Sequence, residues 1–127
     1  MKEFMLLIRN RMDHLSELSA EEKQKFLNAV VAYINDLMKR GKLKSAQPLE
    51  KEGHVISGSK HSWKDGPFNE TKEVIVGYYY VVANDMAEAI EIAKGNPEFE
   101  YTDTATIEVR PIKTKEQSTG FVYPEPR

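Results

Sequence analysis

Residues 73–83 constrain the fold of this chain most, because they read EVIVGYYYVVA. A run of apolar and aromatic residues bounded by polar segments predicts a β-strand. Alternate side chains of a strand point to opposite faces, so Tyr78 and Tyr80 lie on one face and Tyr79 on the other. Neither face alternates to polar residues, as a face in contact with water would. We therefore expect both faces of the sheet that contains this strand to be covered.

Two helices are predicted, one on each side of this strand in the sequence. Ser19 and Glu22 have the spacing of a capping box, and apolar residues recur at helical spacing through residues 20–40. Asp85, with Glu88 three residues on, predicts the start of the second helix. The predicted apolar faces are Phe26, Val30, Ile34, Leu37 and Met38 in the first helix, and Met86, Ala89, Ile90 and Ala93 in the second.

Other segments predict further strands. Phe4–Ile8 is a short continuous apolar run, typical of a central strand covered on both faces. Residues 42–58 predict an extended pair that turns at Glu52–Gly53, and residues 60–63 predict a short strand after it. Residues 104–112 alternate between apolar and polar side chains, which is typical of a strand with one buried face.

The order of these elements, β-α-β-β-α-β, is the ferredoxin-like arrangement of fold class α+β. Two helices cover one face of such a sheet, so the tyrosines on the second face need another cover. The simplest cover is a second copy of the chain, with sheet facing sheet in a two-fold homodimer. We predict one domain over residues 1–112 and a tail over residues 113–127, which lays Phe121 and Tyr123 on another surface.

The composition argues against several classes of function. The formal net charge is −2, and no basic stripe is interleaved with aromatic residues, so nucleic acid is not a predicted partner. The chain has no cysteine, which removes disulfides, thiolate catalysis and zinc–sulfur sites. His14, His54 and His61 lack the spacing of metal ligands, so no metal or cofactor is predicted. The apolar run near the N-terminus is too short for a signal peptide or a membrane span, which favours a cytoplasmic protein without a membrane partner.

The stretch KDGPFNETKE, residues 64–73, is the first candidate for a functional loop. An Asp at a turn usually bonds the backbone N–H two residues further on. Here that residue is Pro67, which has no N–H, so Asp65 needs another partner. Two interpretations of Asp65 stay open. In one, Asp65 is an acid/base or a ligand-holding group at the rim of a pocket, and in the other it only fixes the loop, through more distant backbone N–H groups or through Lys72.

At DGPFNETKE followed by VGYYYV, the sequence resembles the YCII-related family in its DGPF-motif branch. MLLI, GKL, QPLEKEGHVISG, AEAIEIAKGNP and IEVRPI add to the resemblance, which covers residues 2–112. The resemblance implies a dimeric α+β barrel. Many members of the family carry a His and an Asp suited to act together, a few resemble enzymes that act on small aromatic compounds, and most have no known activity. The Asp carries over as Asp65. Residues 20–40 hold no histidine, whereas the better-known branch has one in its first helix.

His61 and His14 remain as candidate partners for Asp65. In an extended chain His61 shares a face with Asp65 at about 13 Å, from roughly 3.3 Å per residue, so a direct bond needs a bend or a partner chain. His14 follows the first strand, where it is expected either to face the same pocket as Arg9 or to lie in a solvated loop. The predicted ligand-binding residues are Arg9, Phe68, Lys72, Tyr78 and Tyr80.

Three functions stay open on these residues. The first is a homodimeric enzyme that performs proton-transfer or lyase-type chemistry on a small organic molecule, with Asp65 as the acid/base and His14 or His61 assisting it. The second is a non-catalytic module that binds a ligand or a partner protein, in which the DGPF loop is structural. The resemblance also implies a role beside a transcription factor, although the acidic charge argues against direct contact with DNA.

Overall fold

The computed structural model describes residues 1–67 and 73–125. These residues form α+β structure with antiparallel sheets, as predicted. The middle of the DGPFNETKE stretch, with the predicted site residues Phe68 and Lys72, lies outside the described residues. The elements in chain order are β1 (Lys2–Arg11), α1 (Ala20–Lys39), β2 (Leu43–Pro48), β3 (His54–Ser59), β4 (Ser62–Pro67), β5 (Glu73–Ala83), α2 (Met86–Lys94), α3 (Glu98–Tyr101) and β6 (Thr106–Pro111).

The main sheet has four strands in the order β2-β5-β1-β6, each antiparallel to its neighbours. The tyrosine-rich strand β5 is central, and Tyr79 lies opposite both Leu6 of β1 and Ala46 of β2. The predicted pairing within residues 42–58 is wrong, because β2 pairs with β5 while β3 pairs with β4. Strand β5 offers β2 large apolar side chains to pack against, and cross-strand packing of this kind stabilises a sheet.

The helices α1 and α2 cover one face of the main sheet and close the core. Along β1 and β5, fully buried side chains on the helix-covered face alternate with half-buried side chains on the other face, as expected for strands with one core face. Burying a large apolar side chain contributes about 1.5–3 kcal/mol, so this layer accounts for much of the folding free energy. Its buried members are Phe4, Leu6, Ile8, Leu37, Tyr79, Val81, Ala83, Ala89, Ile92 and Ala93.

The predicted helix starts are confirmed in atomic detail. Ser19 accepts from the backbone N–H of Glu22 at 3.1 Å, and the Glu22 carboxylate accepts from the Ser19 N–H at 3.0 Å. Asp85 accepts from the N–H of Glu88 at 2.9 Å. At the end of α1 the chain reverses through Gly41, whose φ of 68° lies in the left-handed region that glycine tolerates without strain.

The predicted apolar faces of the helices are wrong at three positions. Met38, Met86 and Ile90 are exposed by 61%, 39% and 38%. In α1, Leu37 points into the core, and the next residue is rotated by about 100° around the axis, towards solvent. In α2 the buried residues are Ala89, Ile92 and Ala93, so Ile92 takes the inward position predicted for Ile90.

Strands β3 and β4 form a separate two-stranded hairpin, which includes the strand predicted near residues 60–63. It turns at Lys60 and His61, and His61 has a positive φ of 73°. The hairpin carries Val55, Ile56 and Trp63, which are exposed by 53%, 59% and 67%. A two-stranded hairpin is marginally stable in water on its own, so packing of this apolar surface against another molecule would stabilise it.

The tail folds back on itself after β6. An isolated bridge joins Lys115 to Val122, and the rings of Phe121 and Tyr123 meet edge to face with centroids 5.3 Å apart. The two rings therefore pack on each other, and both remain partly exposed. Among the helices of the described ranges, none is long and apolar enough to cross a membrane.

A candidate ligand cavity with a polar end

A cavity of about 730 Å³ lies between α1 and the helix-covered face of the sheet. Helix α1 lines it with the buried Phe26 and with Val30 and Ile34, which are only half-buried. Ligand cavities in proteins commonly measure about 300–1,000 Å³, so this one has room for a small organic molecule.

The walls of the cavity are mainly apolar. Helix α1 contributes Phe26, Leu27, Val30 and Ile34, and the sheet contributes Ile8, Ala46, Val76 and Tyr79. Gly77 lies in the sheet wall, where a Cβ atom would come within 3.1 Å of the Gln47 backbone oxygen. Gly77 therefore allows β2 to lie close against β5. Charged side chains of Lys23, Lys51, Glu50 and Glu52 also line the cavity and are exposed, so they mark its mouth.

One end of the cavity is polar and contains His14, Asn96 and Glu98. Glu98 is 4% exposed, which is unusual for a carboxylate unless it has hydrogen-bond partners. Its Oε1 accepts from Asn10 Nδ2 at 2.9 Å and forms a short contact with His14 Nδ1. A carboxylate held in this way fixes the orientation of the imidazole ring.

Asn10 holds Glu98 and His14 in place from beneath. It is fully buried, and its Oδ1 accepts from the Arg11 N–H at 2.9 Å and from the Thr104 hydroxyl at 2.6 Å. Its Nδ2 then faces Glu98 and Thr102 Oγ1, which is 3.0 Å away. Asn10 Nδ2 also lies 3.3 Å from His14 Nδ1. An ionised Glu98 has only acceptor oxygens, so its contact with His14 is a hydrogen bond when Nδ1 carries the proton, and in that tautomer Nε2 is free to act as a base.

Asn96 lies next to this network and lines the cavity. Its Oδ1 accepts from the backbone N–H of Glu98 at 2.8 Å, which fixes the orientation of the amide group. Within the described ranges, its Nδ2 is buried and has no hydrogen-bond partner. A buried donor without an acceptor costs about 1–3 kcal/mol, so such a group in a native structure calls for an explanation.

Tyr79 adds a neutral hydroxyl-bearing ring to the sheet wall of the cavity. Burial, assisted by the negative charge of Glu98, raises the pKa of Tyr79 to about 12. The ring of Tyr33 meets it edge to face at 5.4 Å, and burial likewise raises the pKa of Tyr33. Tyr33 donates to the Ile92 backbone oxygen at 2.5 Å, which ties α1 to α2 beside the cavity.

Of the predicted site residues, His14 lines this cavity and Arg9 does not. The side chain of Arg9 lies on the opposite face of β1 and donates to Glu108 Oε1 at 3.2 Å. Tyr78 and Tyr80 also lie on that face, whereas Tyr79 lies on the helix-covered face. The predicted ligand-binding side chains Arg9, Tyr78 and Tyr80 are therefore separated from His14 by the sheet.

Asp65 lies on the hairpin and is not among the residues that line the cavity. Its Oδ1 is 2.8 Å from His54 Nδ1, and the two side chains are 59% and 68% exposed. The bond joins β3 and β4 diagonally. The residue directly opposite Asp65 is Ile56, and His54 lies two positions before Ile56, on the same face of the hairpin. His61, the histidine considered as its partner, lies in the turn of the hairpin.

The open face of the main sheet carries a second polar cluster. Lys44 Nζ donates to Glu3 at 2.8 Å, the Tyr80 hydroxyl donates to the other oxygen of the same carboxylate, and Lys44 lies over the Tyr80 ring at 5.3 Å. The hydrogen bonds from Lys44 and Tyr80 hold the pKa of Glu3 below its usual value. The Lys44–Glu3 bond in turn raises the pKa of Lys44, with a smaller contribution from the charge of Glu125 in the tail.

Sequence reasoning missed Asn10, Asn96 and Glu98. For Asn10 a signal was present, because it continues the inward spacing of Leu6 and Ile8 and is a polar residue at a core position. Glu98 gave no such signal, since its partners Asn10 and His14 are 88 and 84 residues away in the sequence.

These features define an α+β protein with an apolar cavity and a buried His–Glu pair at one end. The chain matches the YCII-related domain over residues 2–116. It therefore belongs to the YCII-related family. A search of curated proteins returns no match.

Proposed function

We propose that this protein binds a small organic molecule in the cavity beneath α1 and transfers a proton to or from it through His14. The observation that carries the proposal is the contact of His14 with the buried carboxylate of Glu98 at the polar end of an otherwise apolar cavity. A histidine oriented by a second group is the usual arrangement for a general base.

The roles of the side chains follow from their contacts. Glu98 accepts a hydrogen bond from the Nδ1–H group of His14, which leaves Nε2 free to face the ligand. The carboxylate also stabilises the imidazolium that forms when Nε2 takes a proton. His14 also lines a smaller cleft of about 290 Å³ on its other side, together with Arg11, Glu17, Glu100 and Asp103. We expect the proton to exchange with solvent through this polar cleft, while the apolar cavity holds the ligand.

A thermal-shift screen of small metabolites tests this proposal. It is run on the wild type, on His14→Gln and on Asp65→Asn. We expect at least one metabolite to raise the melting temperature of the wild type and of Asp65→Asn by the same amount. The wild type should also convert that metabolite, and His14→Gln should not. If a ligand depends on Asp65 and not on His14, the site lies at the hairpin, as the DGPF motif predicts, and our assignment of the base to His14 is wrong.

We further propose that the chain is a homodimer of the dimeric α+β barrel type, in the DGPF-motif branch, and that it works in the cytoplasm. The strand order β2-β5-β1-β6 is the one expected of a ferredoxin-like arrangement, which supports this proposal. The open face of the sheet, with Met5, Leu7 and Tyr78 half-buried, would pack against its copy. Sedimentation of the purified protein tests the dimer directly.

A non-catalytic module is the second candidate, and one observation favours it. Asp65 is solvent-exposed and bonded to His54, which suits a residue that fastens the hairpin. The exposed side chains of Ile56 and Trp63, on the same face of the hairpin as Asp65, would then bind a partner protein. In that case Asp65→Asn lowers the melting temperature without changing the binding of any small ligand.

A further inference from the structure

The unpartnered amide of Asn96 points to the chemical class of the ligand. Asn96 is 4% exposed, and its Oδ1 is engaged by the Glu98 N–H. Its Nδ2 is a pure donor, so the group that would satisfy it is an acceptor, such as a carbonyl oxygen. His14, whose Nε2 is the proposed base, lines the same end of the cavity.

We propose that the ligand is an apolar carbonyl compound with a hydrogen on the carbon next to the carbonyl, and that Asn96 Nδ2 binds its oxygen while His14 Nε2 removes that hydrogen as a proton. This inference rests on the proposed function and names the substrate class of the same cavity. A neutral amide donor aimed at an oxygen that gains negative charge is a common way to stabilise an enolate.

The step balances without any further reactant. His14 Nε2 takes the proton, the electrons of the broken C–H bond form a carbon–carbon double bond, and the carbonyl π electrons move onto oxygen. The enolate oxygen accepts from Asn96 Nδ2. The imidazolium, stabilised by Glu98, then returns the proton to carbon or delivers it to another position, so that the net reaction is an exchange or an isomerisation.

The apolar walls suit this class better than a charged ligand. Phe26, Val30 and Ile34 on one side and Ile8 and Val76 on the other enclose the body of the molecule. Glu98 at the polar end would repel a carboxylate, whereas a neutral carbonyl can accept from the donor of Asn96. The Nδ2 is shielded from water in the free protein, so we expect a small movement of side chains at the polar end when the ligand enters.

The test uses 4-phenyl-2-butanone, which has an aromatic body, a carbonyl group and exchangeable neighbouring hydrogens. The uptake of deuterium at those hydrogens in D₂O is followed by NMR with the full-length protein. Binding is compared with that of 4-phenyl-1-butene, which has a similar shape and no carbonyl. The wild type should bind the ketone about threefold or more tightly, as one hydrogen bond allows, and should exchange its hydrogens faster than free imidazole at equal concentration.

Two variants of Asn96 isolate the donor. Asn96→Ala removes the whole amide group, while Asn96→Asp keeps the Oδ1 that accepts from the N–H of Glu98. Both lack the Nδ2 donor, and we expect exchange to fall by about 10²–10³-fold, the usual loss for one oxyanion donor. The ketone–butene comparison on the wild type needs no variant and remains valid if a variant folds poorly.

The outcomes separate the two proposals. If the wild type takes up neither compound, the cavity proposal fails and the ligand class fails with it. If both compounds bind equally and exchange is not accelerated, the cavity stands and the carbonyl class is wrong. If exchange is accelerated but Asn96→Ala retains it within about twofold, the role of Asn96 is overturned while that of His14 stands.

Discussion

Replacing Glu98 with alanine tests whether the polar end of the cavity is a connected network. The change removes the acceptor shared by Asn10 Nδ2 and His14 Nδ1. Each buried donor that loses its acceptor costs about 1–3 kcal/mol. We therefore expect Glu98→Ala to lower the free energy of unfolding by about 2–4 kcal/mol, which is a large part of the 5–15 kcal/mol typical of a domain.

Glu98→Gln isolates the contribution of the negative charge to the same network. The amide keeps an oxygen that can accept from Asn10 and His14, so the network retains its bonds without the negative charge. Hydrogen bonds to charged groups contribute about 1.5–3 kcal/mol against 0.5–1.5 kcal/mol for neutral ones. Each of the two bonds to Glu98 is then weakened by about 1 kcal/mol, so the expected loss for Glu98→Gln is about 2 kcal/mol.

Glu100 provides the matched control, because it lies on the same short helix and is exposed. Glu100→Ala should change the free energy of unfolding by less than about 0.5 kcal/mol. Urea unfolding at neutral pH measures all three variants, and an unchanged m-value shows that the transitions are comparable. If Glu98→Ala costs no more than Glu100→Ala, the buried network is not present as described.

Three further predictions concern Tyr79, Tyr80 and Asp65. Because the pKa of Tyr79 is raised from 10.0 to about 12, the unfolded chain loses this proton first, so stability falls as the pH rises from about 10 to about 12, by up to ~2–3 kcal/mol. Urea unfolding across this range should show a smaller fall for Tyr79→Phe, and equal falls would contradict the assignment. Tyr80→Asp should give a folded monomer in sedimentation while Tyr79→Asp fails to fold, and a dimeric Tyr80→Asp would refute the proposed interface. Asp65→Asn should cost less than about 1 kcal/mol in the free energy of unfolding, since an exposed pair contributes little, and a larger loss would show that the contact with His54 is structural.

The local features of the fold were predictable because they depend on neighbours in the sequence. The capping box of Ser19 and Glu22 involves residues three positions apart, and the strand over residues 73–83 is recognisable from its own apolar content. The rotation of each helix was less predictable, as Met38 and Ile90 show. Apolar residues that flank the buried positions fit the same helical periodicity as the buried residues themselves. Only the packing of the helix against the sheet determines which of them face the core.

The candidate site could be predicted only in part, because it is built from distant segments. His14 was a candidate from its place after the first strand, but its partner Glu98 follows α2 and is brought to it by the antiparallel sheet. The pairing of Asp65 with His54 depended on how residues 42–58 divide between two sheets. The strand signals in that segment were correct, but pairing partners are not encoded by periodicity.

The most direct test of the account is the NMR spectrum of the protein labelled with ¹⁵N in its histidines. The chain has three histidines, at positions 14, 54 and 61, so each imidazole gives a separate signal. In the free protein we expect His14 in the tautomer with the proton on Nδ1, and on addition of 4-phenyl-2-butanone we expect the Nε2 signal of His14 to shift while those of His54 and His61 stay unchanged. Shifts at His54 or His61 with His14 unaffected would contradict the account, because they would place the ligand at the hairpin and not in the cavity beneath α1.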